Sequence, residues 1–235
     1  MAPTPAPTRS PDPPRLPRSA LLWVAALPAL AGCIASPAPH APAPHQSAAA
    51  IAPRADERQC LANLGQAQAG FTPLPDQYYG LGCSTVGTVR LTWLRSDDAQ
   101  LQLSNLGPVT CPLAGALQGW ARYGVDHAAR LTLGSALTRI DTLGSYNCRN
   151  VAGTDRRSGH ATANAVDIAA FVLADGRRIS IKADWSSPDP ATRLFLRQIR
   201  ASACRRFGVV LSPDYNAAHH DHFHLEVGTA YPICH

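Results

Sequence analysis

Six cysteines, Cys60, Cys83, Cys111, Cys148, Cys204 and Cys234, are spread almost to the end of a 235-residue chain. No other feature constrains the fold as strongly. None of the six forms a C-x-x-C pair, so sulfur is not set up to hold zinc here. An even number of cysteines in an exported domain forms disulfides, whereas a reducing compartment keeps them as thiols. Many connectivities are open to six cysteines, and the simplest is consecutive: Cys60–Cys83, Cys111–Cys148 and Cys204–Cys234.

The compartment is written at the front of the chain. Residues 15–33 read "RLPRSALLWVAALPALAGC", two arginines followed by an apolar run of signal-peptide length, too short to span a bilayer comfortably. The closing "LAGC" resembles the bacterial lipoprotein signal box, which implies export and a lipid on Cys33; a plain secretory signal with an incidental cysteine is the other reading. Ile34 follows, and not the aspartate that retains lipoproteins at the inner membrane in some bacteria, which favours an outer-membrane anchor. More than half of the 21 prolines lie in the first 53 residues, so 34–55 reads as an unpacked Pro/Ala tether. The expected organisation is a signal peptide over 1–33, the tether over 34–55, and one folded domain over 56–235.

The net charge of +5 comes almost wholly from arginine, with Lys182 the single lysine. No basic block or aromatic-basic interleaving accompanies it, so nucleic acid is excluded as the expected partner. The expected partner at this point is a membrane, through the lipid anchor; the domain is read as a monomer.

Periodicity predicts helices over 57–71, 111–134 and 190–208, the last two closed by Gly134 and Gly208. Strands are predicted over 88–94, 137–146, 165–173, 177–185, 209–211 and 223–227, with Asp175-Gly176 turning a hairpin. Strands with segregated helices give an α+β fold: a small, mainly antiparallel sheet with flanking helices, stabilised by disulfides.

Two stretches carry chemistry. In "AHHDHFHLEV", residues 218–227, His222 and His224 are two apart, so on a strand both face one side, with Phe223 and Leu225 on the other. In "SGHATANAVDIAAF", residues 158–171, His160 precedes Asp167 by seven residues, and Asp167 opens an otherwise apolar strand. A carboxylate there needs a partner or a cation. His219, His220 and His127 read as solvated surface, Asp221 as a loop acid able to orient a histidine, and Trp120 and Trp185 as core.

The pattern S-x-H-x-x-x-x-A-x-D followed by H-x-H resembles that of the LAS-type zinc peptidases, which include D-Ala-D-Ala peptidases and murein endopeptidases and share their fold with hedgehog domains. "LGSYNCRNVAGTDRRSGHATANAVDIAAF", "FLRQIRASACRRFGVVLSPDYNAAHHDHFHLEV" and the cysteine placement resemble the bacterial extensin-like C-terminal domain family more closely, from about Cys60 to Cys234. The resemblance implies a LAS/hedgehog-like fold, one zinc ion per chain on His160, Asp167 and His224, and His222 in the place of the catalytic histidine. It suggests Arg149 for the substrate carbonyl or carboxylate, peptidoglycan peptides as substrate, and the periplasmic face of the envelope as location. Ala163 stands where the peptidase pattern has glycine, which strains the loop if its φ is positive. The same resemblance admits a domain that keeps zinc and fold but serves as a non-enzymatic binding or scaffolding module in the envelope.

Overall fold

A computed structural model describes residues 54–228 and 232–235. The expected signal peptide with Cys33, and the tether as far as residue 53 with His40 and His45, lie outside the described residues. In chain order the elements are α1 (Ala55–Gln66), β1 (Gly70–Pro73), β2 (Gln77–Gly80), β3 (Cys83–Thr85), β4 (Thr88–Arg95), β5 (Gln100–Ser104), β6 (Val109–Thr110) and α2 (Cys111–Trp120). Then come β7 (Leu137–Gly144), β8 (Ala165–Leu173), β9 (Arg178–Ser180), α3 (Ile181–Asp184), α4 (Pro190–Cys204), β10 (Val209–Leu211), β11 (Phe223–Glu226) and β12 (Ile233–Cys234).

The fold is α+β. Ten strands form one sheet in the order β1-β4-β5-β7-β8-β11-β10-β12, with β6 added to β4 and β9 to β8. Every pairing is antiparallel except β5–β7 and β10–β12. The sheet is larger than expected because short strands such as β1, β6 and β12 have little periodicity of their own and form only by adding to an existing edge. β2 and β3 make a separate hairpin.

Alternation along the central strands sorts the two faces. Val166, Ile168, Val210, Phe223 and Leu225 are fully buried on one face, under α2 and α4. The aromatic centre of that core is Trp120, Phe171, Phe195 and Phe207, meeting edge to face. Burying each such ring contributes roughly 2–3 kcal/mol. Trp120 also donates its indole N–H to the Ile199 carbonyl at 2.9 Å, and Trp185 packs on Phe223, so both tryptophans are core.

α4 begins where Asp189 accepts the backbone N–H groups of Ala191 and Thr192, with Pro190 in the first turn. The helix predicted from residue 111 runs on past α2 as π-helical turns, Ala121–Asp126 and Ala129–Leu133, and stops at Gly134 with φ 68°. Gly124 lies against Trp120 and Ser202 so closely that no Cβ fits. The strand predicted over 177–185 ends at Ser180 instead. Ser180 accepts from Ala183 N–H and donates its own N–H to Asp184, and this reciprocal cap starts α3. The first predicted helix ends at Gln66, after which Gln68 turns left-handed (φ 55°) and Gly70 enters β1.

All six cysteines are paired, but not consecutively. The bridges are Cys60–Cys111, Cys83–Cys148 and Cys204–Cys234, so only the last pair of the consecutive scheme is present. Tertiary packing explains the difference. α1 packs on α2, bringing Cys60 to Cys111, and the β2–β3 hairpin sits over the loop after β7, bringing Cys83 to Cys148. Among the described residues no helix is long and apolar enough to cross a membrane.

Candidate metal centre

The face of the sheet opposite the core carries the polar residues. On β8 and β11, Asp167 and His224 are direct antiparallel partners and therefore share a face. His160 reaches them from a 3-10 turn, Gly159–Thr162, that lies over the strand ends. Ser158 caps that turn by accepting from His160 N–H. Asn164 then fixes the loop, donating to the Val227 carbonyl at 2.6 Å and accepting from Thr110 Oγ1 at 3.0 Å.

Three ligand atoms converge. His160 Nε2 lies 3.1 Å from His224 Nδ1 and 3.2 Å from Asp167 Oδ1, and His224 Nδ1 lies 3.0 Å from Asp167 Oδ1. Both histidines are nearly buried, at 2% and 8% exposure. The far nitrogen of each ring decides what the near one offers. His160 Nδ1 is 2.5 Å from the Ser145 carbonyl, which can only accept, so Nδ1 carries the proton and Nε2 presents a lone pair. His224 Nε2 faces the Glu226 carboxylate at 3.5 Å, which leaves Nδ1 as the inward lone pair.

Three ligand atoms pointing at one another among largely buried side chains form a group that could hold a cation. At the usual bond lengths of about 2.0–2.1 Å, tetrahedral zinc would hold its ligands roughly 3.3 Å apart, close to the separations found. Two imidazoles and one carboxylate also match the donor set of a zinc site with a position open for substrate or water. Without a metal, a proton takes that role. Burial disfavours an imidazolium at His224, yet Asp167 and Glu226 outweigh it and push its pKa up to about 9. Burial likewise opposes ionisation of Asp167, and the two histidines beside it, His160 and His224, still hold it below the ordinary carboxylate range.

The cluster lies at the side of a cavity of about 880 Å³. His222 lines it, with Nδ1 at 2.8 Å from Asp221 Oδ1 and Nε2 at 3.5 Å from Asp167 Oδ1. The Asp221 carboxylate is held low chiefly by that hydrogen bond, and it orients the ring. Arg149 lines the same cavity from the loop after β7. The structure thus brings His160, Asp167, His224, His222 and Arg149 to one place.

Sequence reasoning passed over Glu226 and placed His219 differently from the structure. Glu226 continues the alternation His222, His224, Glu226 on the face of β11 that meets the cavity, and that period was visible in "HFHLE". His219, expected as solvated loop, is half-buried in the cavity wall, with rings of His222 and His224 at 5.1 and 6.0 Å. Burial, then the neighbouring histidines, push its pKa down to about 4, so it stands neutral in the wall. His220 and His127 are exposed, as expected.

Ala163 does adopt the left-handed conformation, φ 55° and ψ 24°, that its position in the pattern demands. The turn keeps its shape with alanine in place of glycine, at a cost of about 1 kcal/mol, offset by burial of the methyl group.

The family model described as Extensin-like protein C-terminus matches residues 58–235. No curated protein and no solved structure matches the chain.

Proposed function

We propose that this chain, which belongs to the extensin-like protein C-terminus family, is a zinc-dependent hydrolase of peptidoglycan peptides, exported and anchored through Cys33 at the periplasmic face of the envelope. The observation that carries the reading is the convergence of His160 Nε2, Asp167 Oδ1 and His224 Nδ1. Their outer partners, the Ser145 carbonyl and the Glu226 carboxylate, select the metal-binding tautomer of each ring. The LAS-type reading of the motif rests on the same three residues and agrees with this donor set.

Zinc in such a site supplies a Lewis acid and lowers the pKa of a bound water to about 7. The protein's own residues do the rest. Asp221 takes the Nδ1 proton of His222 as a hydrogen bond, so Nε2 faces the cavity as a base that accepts a proton from attacking water and returns it to the leaving amine. Arg149, which lines the same cavity, answers the charge that develops on the amide oxygen. Half-buried, neutral His219 limits water around the base.

The test is digestion of purified peptidoglycan by the zinc-loaded protein, wild type beside His222→Ala. The expected loss is about 10²–10⁴-fold in kcat with zinc content unchanged. Equal turnover by His222→Ala, or no peptide released by wild type, would leave a zinc-containing binding module of the envelope as the better reading.

A further inference from the structure

Ile233 lines the cavity from β12, the strand at the edge of the sheet. β12 runs parallel to β10, with Ile233 beside Val209 and Cys234 beside Val210. Alternation gives the two residues opposite faces. Ile233 extends the apolar side of the cavity formed with Val209 and Leu211. Cys234 turns to the face of the buried Val210, where it is bonded to Cys204, the last residue of α4. The bridge therefore lies on one face of the sheet and the wall it holds lies on the other. The stretch it closes, 205–233, includes β10, β11 and the histidines His219, His222 and His224.

Besides the bridge, backbone bonds hold β12. Ile233 N–H and His235 N–H donate to the Gly208 and Val210 carbonyls at 2.8 and 2.9 Å, and Ser212 N–H donates to the His235 carbonyl at 2.8 Å. The strand is two residues long and both are exposed, so little apolar burial supports those bonds. His235 also sets its ring 5.5 Å from that of Tyr215, and Tyr215 meets His219 at 5.4 Å. Tyr215 and His219 both line the cavity, so a line of contacts runs from the bridge through His235 to its wall. The other two bridges differ. Cys83 and Cys111 are 2% and 1% exposed, so opening either bridge leaves a thiolate in the core, away from water. Neither Cys204 nor Cys234 is buried. Each of the other bridges also joins parts packed by further contacts, α1 on α2 in one case, and Arg157 on the Leu81 carbonyl with Tyr79 on Tyr146 in the other.

We propose that Cys204–Cys234 is a site of thiol–disulfide exchange for a dithiol reductant, and that its opening releases β12 and widens the cavity beside His219. One thiolate of the reductant attacks Cys234 Sγ, the bond between the two cysteine sulfurs breaks, and Cys204 leaves as a thiolate. The second thiolate of the reductant then attacks its own sulfur in the mixed disulfide and frees Cys234. Two electrons pass to the protein, the reductant ends as a disulfide, and the two protons it gives up reach the cysteines by way of solvent. With the covalent tie gone, β12 is left to its exposed backbone bonds. Ile233 leaves the apolar wall, and Tyr215 loses the His235 ring that backs it. The bridge acts as a redox latch on the shape of the cavity, whatever chemistry the metal centre performs.

The test uses the full chain as purified. Free thiols are blocked with N-ethylmaleimide, the protein is reduced with graded dithiothreitol, and new thiols are trapped with iodoacetamide and mapped by peptide mass spectrometry. Cys204 and Cys234 are expected to be labelled at least about tenfold faster than the four other bridged cysteines. In the protein opened in this way, NMR should show amide exchange at Ile233, His235 and Ser212 faster by at least about tenfold, with Val166 and Phe171 unchanged. The ring resonances of Tyr215 and His219 should move with it. The Cys204→Ser/Cys234→Ser protein should show the same changes with no reductant present, and the alkylated wild type decides the matter where that variant fails to fold. Opening of all three bridges at one rate would overturn the latch. So would unchanged exchange at Ile233, His235 and Ser212 after alkylation, or unmoved rings of Tyr215 and His219.

Discussion

Stripping the metal leaves a site whose stability depends on pH in a definite direction. The pKa of His224 rises from 6.5 to about 9 in the folded, metal-free protein, because Asp167 and Glu226 face a ring that is 8% exposed. A group whose folded pKa is raised contributes stability that is fully present below its unfolded value. That contribution is lost as pH climbs through the folded value. Here the window is pH 6.5 to 9, and its full size is about 3 kcal/mol. The attraction to Asp167 is counted once, not again for the aspartate. His219 acts in the opposite sense: its folded pKa is lowered to about 4, so its contribution is present above pH 6.5 and is lost only as pH falls below that. It leaves the upper window undisturbed. With a urea m-value of about 2 kcal/mol/M for a domain of this size, the unfolding midpoint of metal-stripped protein should fall by roughly 1–2 M between pH 6.5 and 9.5. The His224→Gln protein should show little change over the same range. A flat wild-type profile, or the same slope in His224→Gln, would refute the reasoning that Asp167 and Glu226 hold a proton where a cation belongs.

Three further outcomes follow from the same geometry. Zinc added to the stripped protein at pH 7.5 should release about one proton per chain, read from the buffer dependence of the calorimetric heat, because His224 gives up its inward proton to become a ligand. Glu226→Ala should weaken zinc about 10–100-fold in a chelator competition, since Nε2 of His224 loses its acceptor. Gly159→Ala should act in the same direction, because its Cβ would stand against the Glu226 carboxylate and push it from the ring. Ala163→Gly should change unfolding free energy by less than about 1 kcal/mol in urea titration, relief at φ 55° being offset by a lost buried methyl and a more flexible unfolded chain.

The three candidate ligands were picked out by the resemblance of the motif to the LAS-type pattern, and two local signals pointed to the same stretches. Asp167 interrupts an apolar strand, and His222 and His224 repeat at the strand period. Those signals are local, and the structure adds the cross-strand register, His224 opposite Asp167, that turns them into one site. Glu226 obeys the same period and was readable by the same rule. The disulfide pairing was not readable, because Cys60 meets Cys111 only once α1 lies on α2, a contact that no stretch of sequence encodes by itself. Nor was the placement of Arg156 in the cavity lining, where its side depends on the bridge between Asn150 and Arg157. β5, at "QLQLS", alternates cleanly yet was missed, and β1, β6 and β12 are too short to alternate at all. The interior of α4 was plain because apolar residues repeat at helical spacing between a capping aspartate and the turn before Gly208.

Metal content tests the central claim most directly: zinc per chain in the purified protein after reconstitution and desalting, wild type beside His160→Ala and His224→Ala. The account predicts about one zinc per wild-type chain and close to none in either variant, with all three proteins folded by circular dichroism. A wild type that stays metal-free, or variants that hold zinc as wild type does, would contradict it.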